Sequence, residues 1–235
     1  MSEENPRREP SRYRQHLRHG WPLVLNLVLI TLVEQFLANV LHFSTTPLDR
    51  IMPPVAANQL WHTVLWLLVA TAFMLYLTGH TVTVRQAVFV ILGVFTLGLV
   101  LNVFELALPS PSQVATRGSG LLADGLLIWV YNVLLFAVWY WLLDGGGHMC
   151  RIEGRWAPRD FLFPPQATTL TDYPHWHPQY LDYLFLAFTT GTAFGPTDTQ
   201  TLSRRGKAFQ MCQSAISLVV VTVVLARAIN NLTPG

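Results

Sequence analysis

The sequence predicts an all-α membrane protein with about five transmembrane helices and one shorter, re-entrant helix. Of its 235 residues, 51% are hydrophobic and only 12% are charged, whereas an average soluble domain is roughly 25% charged. Four mainly apolar segments lie between Trp21 and Leu143, and a fifth lies near the C-terminus. Each of them reaches the roughly 20 residues that a helix needs to cross about 30 Å of hydrocarbon.

The first four spans are predicted to pack into one transmembrane bundle over residues 21–143. Tryptophans lie mostly toward the ends of these segments, and prolines mark the loops between them. The predicted spans cover residues 21–41, 59–78, 86–108 and 121–143. An arginine-rich tail, residues 1–20, precedes the bundle and is expected to remain as part of a signal anchor, because the apolar segment after it is too long for a signal-peptide core.

The C-terminal part of the chain contains one apolar segment that is too short to cross a membrane. Residues 144–179 form a polar linker rich in glycine and proline, and this linker cannot span. The apolar segment 180–194 follows between Pro178 and Pro196, and its roughly 15 residues predict a re-entrant or interfacial helix. The last helix, residues 208–229, is long enough to cross, so residues 180–235 form a short helix, a loop and a final span.

The distribution of basic residues predicts the orientation of the chain. If the N-terminus is cytoplasmic and segment 180–194 enters and leaves on one side, only Arg50, Arg117 and Arg227 of the 15 Lys and Arg residues face the outer side. If that segment crosses instead, Arg204, Arg205 and Lys207 move outside and Arg227 moves inside, so that five basic residues face the outer side. The positive-inside rule therefore favours the re-entrant topology, in a multi-pass protein of the inner (plasma) membrane. The formal net charge of +2 does not indicate a nucleic-acid partner.

Four ionisable residues inside the predicted spans are candidates for function: Glu34, Glu105, Asp124 and Arg227. A charged side chain at the centre of a bilayer costs at least about 2.5 to 3.5 kcal/mol, so its presence calls for a reason. Two interpretations stay open. Either Glu34 or Glu105 pairs with Arg227 and locks the bundle, or the carboxyl groups handle protons or cations.

Residues 182–198 and the helix after them resemble the pore module of potassium-channel-like proteins. In both, a short aromatic-rich helix precedes a threonine pair, a glycine-containing segment, an aspartate and a last helix. The resemblance implies that the glycine-containing segment is an extended filter. The resemblance implies a cation-permeable ion channel in which backbone carbonyls and threonine oxygens replace the water around a monovalent cation. Because one loop cannot surround an ion, it also implies a homo-oligomer, most simply a tetramer. The filter-like residues are Thr189, Thr190, Gly191, Thr192, Ala193, Phe194 and Gly195, with Asp198 at the mouth.

The same region is similar to the C-terminal half of a family of uncharacterised bacterial inner-membrane proteins, in which this hairpin follows four spans. It departs from the potassium filter Thr-Val-Gly-Tyr-Gly-Asp, since Ala193 stands at the first glycine position and Phe194 replaces tyrosine. Alanine resists the left-handed backbone that glycine permits, so potassium selectivity is not implied. The charge distribution also places this loop on the cytoplasmic side, inverted as in glutamate-receptor channels. A purely structural hairpin is the alternative.

The last helix carries three polar residues along one face: Gln210, Ser214 and Ser217. They are pore-lining candidates if the hairpin conducts. Small and polar residues also mediate ordinary helix packing in bilayers, and that alternative stays open.

The remaining features argue against other classes of protein. His175 and His177 lie in the linker without a set of spaced partners, so no metal site is predicted. Cys150 and Cys212 do not make a disulfide framework. No phosphate-binding glycine loop or nucleophile motif is present, so neither an enzyme nor a cofactor is predicted.

Ion conduction is accordingly the leading functional prediction, and the lipid bilayer is the expected partner. One alternative is a small proton-coupled transporter that uses Glu34, Glu105 and Asp124. A second alternative is a non-transporting membrane scaffold in which these charges are structural.

Overall fold

In the computed structural model of the chain, most of the described sequence is helical. The structure describes residues 24–36, 54–77, 81–108, 121–147, 157–167, 176–193 and 198–232. The helices are α1 (Val24–Phe36), α2 (Pro54–Leu77), α3 (Thr81–Ala107), α4 (Leu121–Leu143), α5 (Tyr180–Ala193) and α6 (Arg204–Leu232). A single 3-10 turn, Asp144–Gly146, and a four-residue helix, Pro164–Ala167, complete the helical part.

Three helices are long and apolar enough to cross a membrane in the described part of the chain. Their apolar stretches are Gln86–Phe104 in α3, Leu122–Gly146 over α4, and Arg204–Ile229 in α6. The apolar stretches of the first two helices are shorter, Val24–Phe36 and Gln59–Met74. The prediction of about five spans therefore exceeds what these helices show. The first predicted span continues to residue 41, outside the described residues.

Helix α4 lies at the centre of the molecule and contacts α3, α5 and α6, while α2 packs against α3. Its inner face is almost completely buried, with Ile128, Leu135 and Phe136 among the core residues. Bulky apolar side chains also cover the outside of the helices. On α1 they form one exposed stripe of Leu25, Leu29, Leu32 and Phe36. An apolar surface of this extent is typical of helices that face hydrocarbon.

The helices α4 and α6 run antiparallel and touch along their length. At one end Arg205 donates from Nη2 to the carbonyl oxygen of Leu143, at 3.2 Å. Toward the other end, a Cβ atom at Gly125 would overlap the side chain of Val224. Glycine at position 125 therefore allows the close approach of the two helices.

One end of the molecule, which we call the linker end, is held by Asp144, Asp160, Phe161, Tyr183 and Arg205. The Oδ1 atom of Asp144 accepts the backbone N–H groups of Asp160 (2.8 Å) and Phe161 (3.1 Å), and its Oδ2 accepts the hydroxyl of Tyr183 at 2.6 Å. Arg205 donates from Nε and Nη2 to both carboxylate oxygens of Asp160, each at 2.6 Å. These bonds join the linker to the ends of α4, α5 and α6.

Two features let the chain turn at the linker end. The three glycines that follow Asp144, at positions 145–147, all have positive φ, at 57°, 76° and 94°, a conformation that glycine adopts without strain. The strands β1 (Phe161–Leu162) and β2 (Gln200–Thr201) form an antiparallel pair in which Phe161 is opposite Thr201. The pair brings the linker next to the residues that precede α6.

Helix α5 begins at the linker end and finishes inside the helical bundle. Near its start, the hydroxyl of Tyr180 donates to Asn26 of α1 at 2.6 Å, and burial raises the pKa of Tyr180 well above its usual value. Near its end, the indole N–H of Trp129 donates to the carbonyl of Gly191 at 3.2 Å. A helix of 14 residues is about 21 Å long, which is short of the roughly 30 Å of a bilayer core. Since β2 lies at the linker end, α5 does not connect opposite ends of the molecule.

Candidate functional site

The carboxyl group of Glu34 is enclosed where α1, α2, α3 and α4 meet, and we call this place the Glu34 site. The residue is 5% exposed. Its Oε2 atom accepts the hydroxyl of Tyr131 at 2.7 Å, and its Oε1 atom lies 3.4 Å from the donating indole nitrogen of Trp61. Helix α3 closes the site with Gly98, where a Cβ atom would lie 2.9 Å from Oε1. The missing side chain of Gly98 is what makes room for the carboxyl group.

The oxygens of Glu34 are satisfied by neutral donors, and its charge is not compensated. Within the described ranges, no Lys, Arg or His side chain pairs with Glu34. Thr31, one turn earlier, donates instead to the Leu27 carbonyl of its own helix at 2.7 Å. Buried carboxylates are usually paired with a cation. Of the two pairs expected with Arg227, the one with Glu34 is not formed, because Tyr131 and Trp61 bond to Glu34 instead. The pair of Glu105 with Arg227 stays a prediction, since the side chain of Glu105 lies outside the described residues.

A buried histidine lies next to this site in the chain. His62 follows Trp61 on α2 and is 7% exposed, and neither of its ring nitrogens has a hydrogen-bond partner in the described structure. Sequence reasoning did not select His62, although a titratable side chain inside a predicted span was the signal that could have found it.

Two of the other predicted intramembrane charges, Asp124 and Arg227, lie at a different depth from Glu34. Asp124 is buried in the first turn of α4, and Arg227 is half-buried on α6. The contact between Gly125 and Val224 places both of them at the end of the bundle opposite the linker end. The Glu34 site meets α4 at Tyr131, about two turns away from Asp124. The side chain of Glu105 lies outside the described part of the structure.

Polar side chains of α4 and α6 hold the last turns of α5. Three carbonyl groups of α5 accept hydrogen bonds from neighbouring helices. They are Ala187 from Gln213 Nε2 (2.7 Å), Thr190 from the hydroxyl of Ser214 (3.4 Å), and Gly191 from Trp129. A helix leaves its last four carbonyls without internal partners, and in an apolar interior these must be satisfied by side chains. Ser214 and Trp129 satisfy two of these four carbonyls, those of Thr190 and Gly191, and the bond from Gln213 to Ala187 holds the preceding turn. These donors allow α5 to end inside the bundle.

A second set of bonds locks this cap in place. The hydroxyl of Tyr140 donates to Gln213 Oε1 at 2.5 Å, and Asn132 Nδ2 donates to the hydroxyl of Ser217 at 2.8 Å. Gln213, Ser217 and Asn132 are fully buried. The network joins α4, α5 and α6 through hydrogen bonds in the interior, where such bonds are stronger than in water.

The filter-like residues that the structure describes do not form an extended loop. Thr189, Thr190, Gly191, Thr192 and Ala193 form the end of α5. Each threonine hydroxyl in this segment donates to the carbonyl four residues earlier, at 2.9, 2.7 and 2.8 Å in chain order. The expectation of an extended filter is wrong for residues 189–193, because their backbone is helical and side chains cap the carbonyls of 190 and 191. Phe194 and Gly195 lie outside the described residues, and Asp198 is exposed.

The pore-lining candidates on α6 form hydrogen bonds with other residues of the chain. Gln210 accepts the hydroxyl of Thr201 at 2.5 Å, Ser214 donates to the Thr190 carbonyl, and Ser217 is bonded to Asn132. This arrangement corresponds to the helix-packing alternative for these residues.

The structure gives no metal site in the part of the chain that it describes. No group of three His, Cys, Asp or Glu side chains there could hold a metal ion. His175 and Cys150 lie outside that part, and Cys212 is exposed on α6.

The fold and the site together define a mostly helical chain with three apolar helices of membrane-spanning length and a buried carboxyl group held by neutral donors. No protein-family model matches the chain, and neither the curated proteins nor the solved structures contain a significant match to it. The proposals below consequently depend on the chemistry of its own residues.

Proposed function

We propose that the protein is an integral membrane protein that moves protons across the bilayer, alone or coupled to a small solute, by protonation and deprotonation of Glu34. The observation that carries this proposal is the Glu34 site. A carboxyl group is buried where four helices meet, and the neutral donors Tyr131 and Trp61 are the groups that bond to it within the described residues.

The chemistry of such a site suits proton binding better than structural locking. A carboxylate that locks helices together normally has a cationic partner, which recovers part of the cost of its burial. Among the described residues no cationic side chain bonds to Glu34, and a proton can neutralise the group without any of these side chains moving. Tyr131 lies near the middle of α4, so the proposal places Glu34 near the centre of the bilayer, where access can alternate between the two faces.

The proposed topology puts the linker end in the cytoplasm of the cell and the bundle in its inner membrane. The exposed basic residues at or near that end, Arg159, Arg204 and Lys207, support this orientation through the positive-inside rule. In this arrangement α5 is a re-entrant helix that enters from the cytoplasmic side, and its last turns are capped by α4 and α6.

A second candidate function is conduction of monovalent cations by a homo-oligomer, most simply a tetramer, with the α5–α6 hairpin at the pore. Two observations favour it. Helix α5 ends inside the bundle, and α6 is the least enclosed of the three membrane-length helices. The face of α6 that is not covered in one copy of the chain could then pack against other copies.

The test is ion flux in proteoliposomes that contain the purified protein, under separate proton, potassium and sodium gradients. We expect proton flux in the wild type and none above that of protein-free liposomes in Glu34→Gln. Glutamine keeps the size and the acceptor oxygen of the side chain but cannot release a proton. The matched control is Asp182→Asn, which makes the same exchange at a carboxylate that accepts the N–H of Gln179 at the start of α5.

The outcomes separate the two candidates. Proton flux that persists at the wild-type level in folded Glu34→Gln contradicts the proton proposal. Potassium or sodium flux that is lost in Thr190→Val and Gly195→Ala, and kept in Glu34→Gln, supports the channel instead.

A further inference from the structure

The hydroxyl of Tyr131 lies within reach of two acceptors at the Glu34 site. It is 2.7 Å from Oε2 of Glu34 and 3.2 Å from the backbone carbonyl oxygen of Phe95 on α3. Tyr131 is completely buried. A phenol carries one hydroxyl proton, so it can donate to only one of these acceptors at a time. The shorter distance selects Glu34 when the carboxyl group is ionised.

Protonation of Glu34 reverses the direction of the first bond. The carboxylic acid then has an O–H group of its own, and the oxygen of Tyr131 is an acceptor 2.7 Å away. Once it accepts this bond, Tyr131 can turn its own proton to the carbonyl of Phe95. A carbonyl oxygen has two lone pairs, so Phe95 can take this bond in addition to the one within its helix.

We propose that Tyr131 is a positioning residue that switches its hydrogen bond between Glu34 and the Phe95 carbonyl each time Glu34 gains or loses a proton. Tyr131 keeps its proton throughout, and the only covalent bond made or broken is the O–H bond of Glu34. Both protonation states then have a complete set of hydrogen bonds, although the backbone does not move. The inference rests on the proposed function, because it requires the protonation of Glu34 to change.

The other groups near Glu34 do not exchange hydrogen bonds with it in the way proposed for Tyr131. From α2 the site receives the N–H of Trp61, with the titratable His62 next to it in the chain, and from α3 it receives Gly98 and the Phe95 carbonyl. On α4 itself the nearest ionisable residue along the helix is Asp124, two turns away. The indole of Trp61 only donates hydrogen bonds, and the Phe95 carbonyl only accepts them. His62 could do both, but neither of its ring nitrogens is bonded to Glu34 in the described structure. Tyr131 is therefore the described partner of Glu34 that can accept its hydrogen bond and donate one in turn.

Infrared difference spectroscopy of the wild type in lipid, between acidic and neutral pH, tests the inference directly. We expect a protonated-carboxyl C=O band that is missing in Glu34→Gln. In Tyr131→Phe this band should move to higher frequency, because the acid has lost the acceptor of its O–H group. Tyr140→Phe is the matched control, since it removes the other buried tyrosine hydroxyl of α4, which bonds to Gln213 instead.

A second measurement needs no substitution of Tyr131. In protein with isotope-labelled tyrosine, the wild-type difference spectrum should contain a tyrosine C–O signal that disappears in Glu34→Gln. The absence of that signal, or an unshifted carboxyl band in folded Tyr131→Phe, overturns the switch and leaves proton binding by Glu34 in place. A wild-type spectrum without any Glu34-dependent band overturns the proposed function as well.

Discussion

At the scale of single residues, the Glu34 site depends on the donors that hold the carboxyl group and on Gly98, which has no side chain and leaves room for it. The carboxyl group is held by Tyr131, 97 residues away, and by Trp61, 27 residues away. A glutamate within an apolar segment can be recognised from the sequence as a functional candidate, because burying its charge is costly. The hydrogen-bond partners of Glu34 cannot be recognised in this way, because indole and phenol groups are common at many positions of membrane helices.

The absence of a side chain at Gly98 leads to a prediction for the variant Gly98→Ala. In Gly98→Ala the new Cβ atom would lie 2.9 Å from Oε1 of Glu34, so the carboxyl group must move away from its donors. We expect loss of proton flux with a change in unfolding free energy of at most about 1 kcal/mol, since only the end of a flexible side chain has to shift and alanine favours the helix.

The control for this prediction lies on the same helix. Nothing lies within 4 Å of a Cβ atom at Gly93, so Gly93→Ala should keep wild-type flux and gain up to about 1 kcal/mol of stability. Flux and thermal unfolding of both variants would be measured side by side. Wild-type flux in Gly98→Ala would show that the position of the carboxyl group is unimportant.

At the scale of helices, α5 shows why hydrophobic length alone does not describe a segment. Its length predicted that it cannot cross a bilayer, and its 14 residues agree with that expectation. The sequence also suggested that its C-terminal part is an extended filter, because the order of threonine, glycine and aspartate resembles a pore loop. The helix instead continues through Ala193, since Ser214 and Trp129 supply donors to the carbonyls of Thr190 and Gly191 in its last turn.

Gln213 is the residue of this cap on which a prediction can be made. In Gln213→Leu the buried hydroxyl of Tyr140 loses its acceptor and the Ala187 carbonyl loses a donor. We expect a loss of about 1–3 kcal/mol in unfolding free energy, the usual cost of a buried polar group without a partner. Thermal unfolding in detergent measures it.

The substitution Gln210→Leu, one turn earlier on α6, is the matched control. It shows whether the loss of stability in Gln213→Leu comes from the broken bonds or from replacing any glutamine of this helix by leucine. Within the described residues the side chain of Gln210 bonds to Thr201, and both are partly exposed. Gln210→Leu should therefore cost less than about 1 kcal/mol, because water can replace the bond. A cycle that combines Gln213→Leu with Tyr140→Phe should give a coupling energy of about 0.5–3 kcal/mol. Additive effects of the two changes would contradict the proposed bond between them.

At the scale of the whole molecule, large apolar side chains cover the outer surface as well as the core, and buried polar groups lie within that core. The exposed faces carry large apolar residues on each of the helices α1 to α6, while the interior contains the Glu34 site and the cap of α5. This is the arrangement expected of a bundle in hydrocarbon, where polar groups gain by facing protein and apolar side chains lose nothing by facing lipid. It supports the proposal that the chain is embedded in a membrane.

The re-entrant topology makes a prediction for the whole molecule. Single cysteines would be placed at Gln179 and Gln200, which are exposed on either side of α5, in a variant without Cys150 and Cys212. We expect a membrane-impermeant thiol reagent to label both from the cytoplasmic side, because both lie near the linker end. A cysteine at Ala123, exposed near the start of α4, is the reference for the opposite face. If the cysteines at positions 179 and 200 are labelled from opposite sides of the membrane, α5 is not a re-entrant helix.

The sequence by itself determined the helical class, the apolar helices and the presence of costly charges among them. These properties come from the composition and spacing of neighbouring residues, which act over one or two turns of a helix. Only the tertiary structure decided that Glu34 bonds to Tyr131 and not to Arg227, that α5 is helical to Ala193, and that Ser217 packs inside the bundle. The reason is that a buried polar group bonds to whatever helix packing places within about 3 Å of it, and those partners lie tens of residues away in the chain.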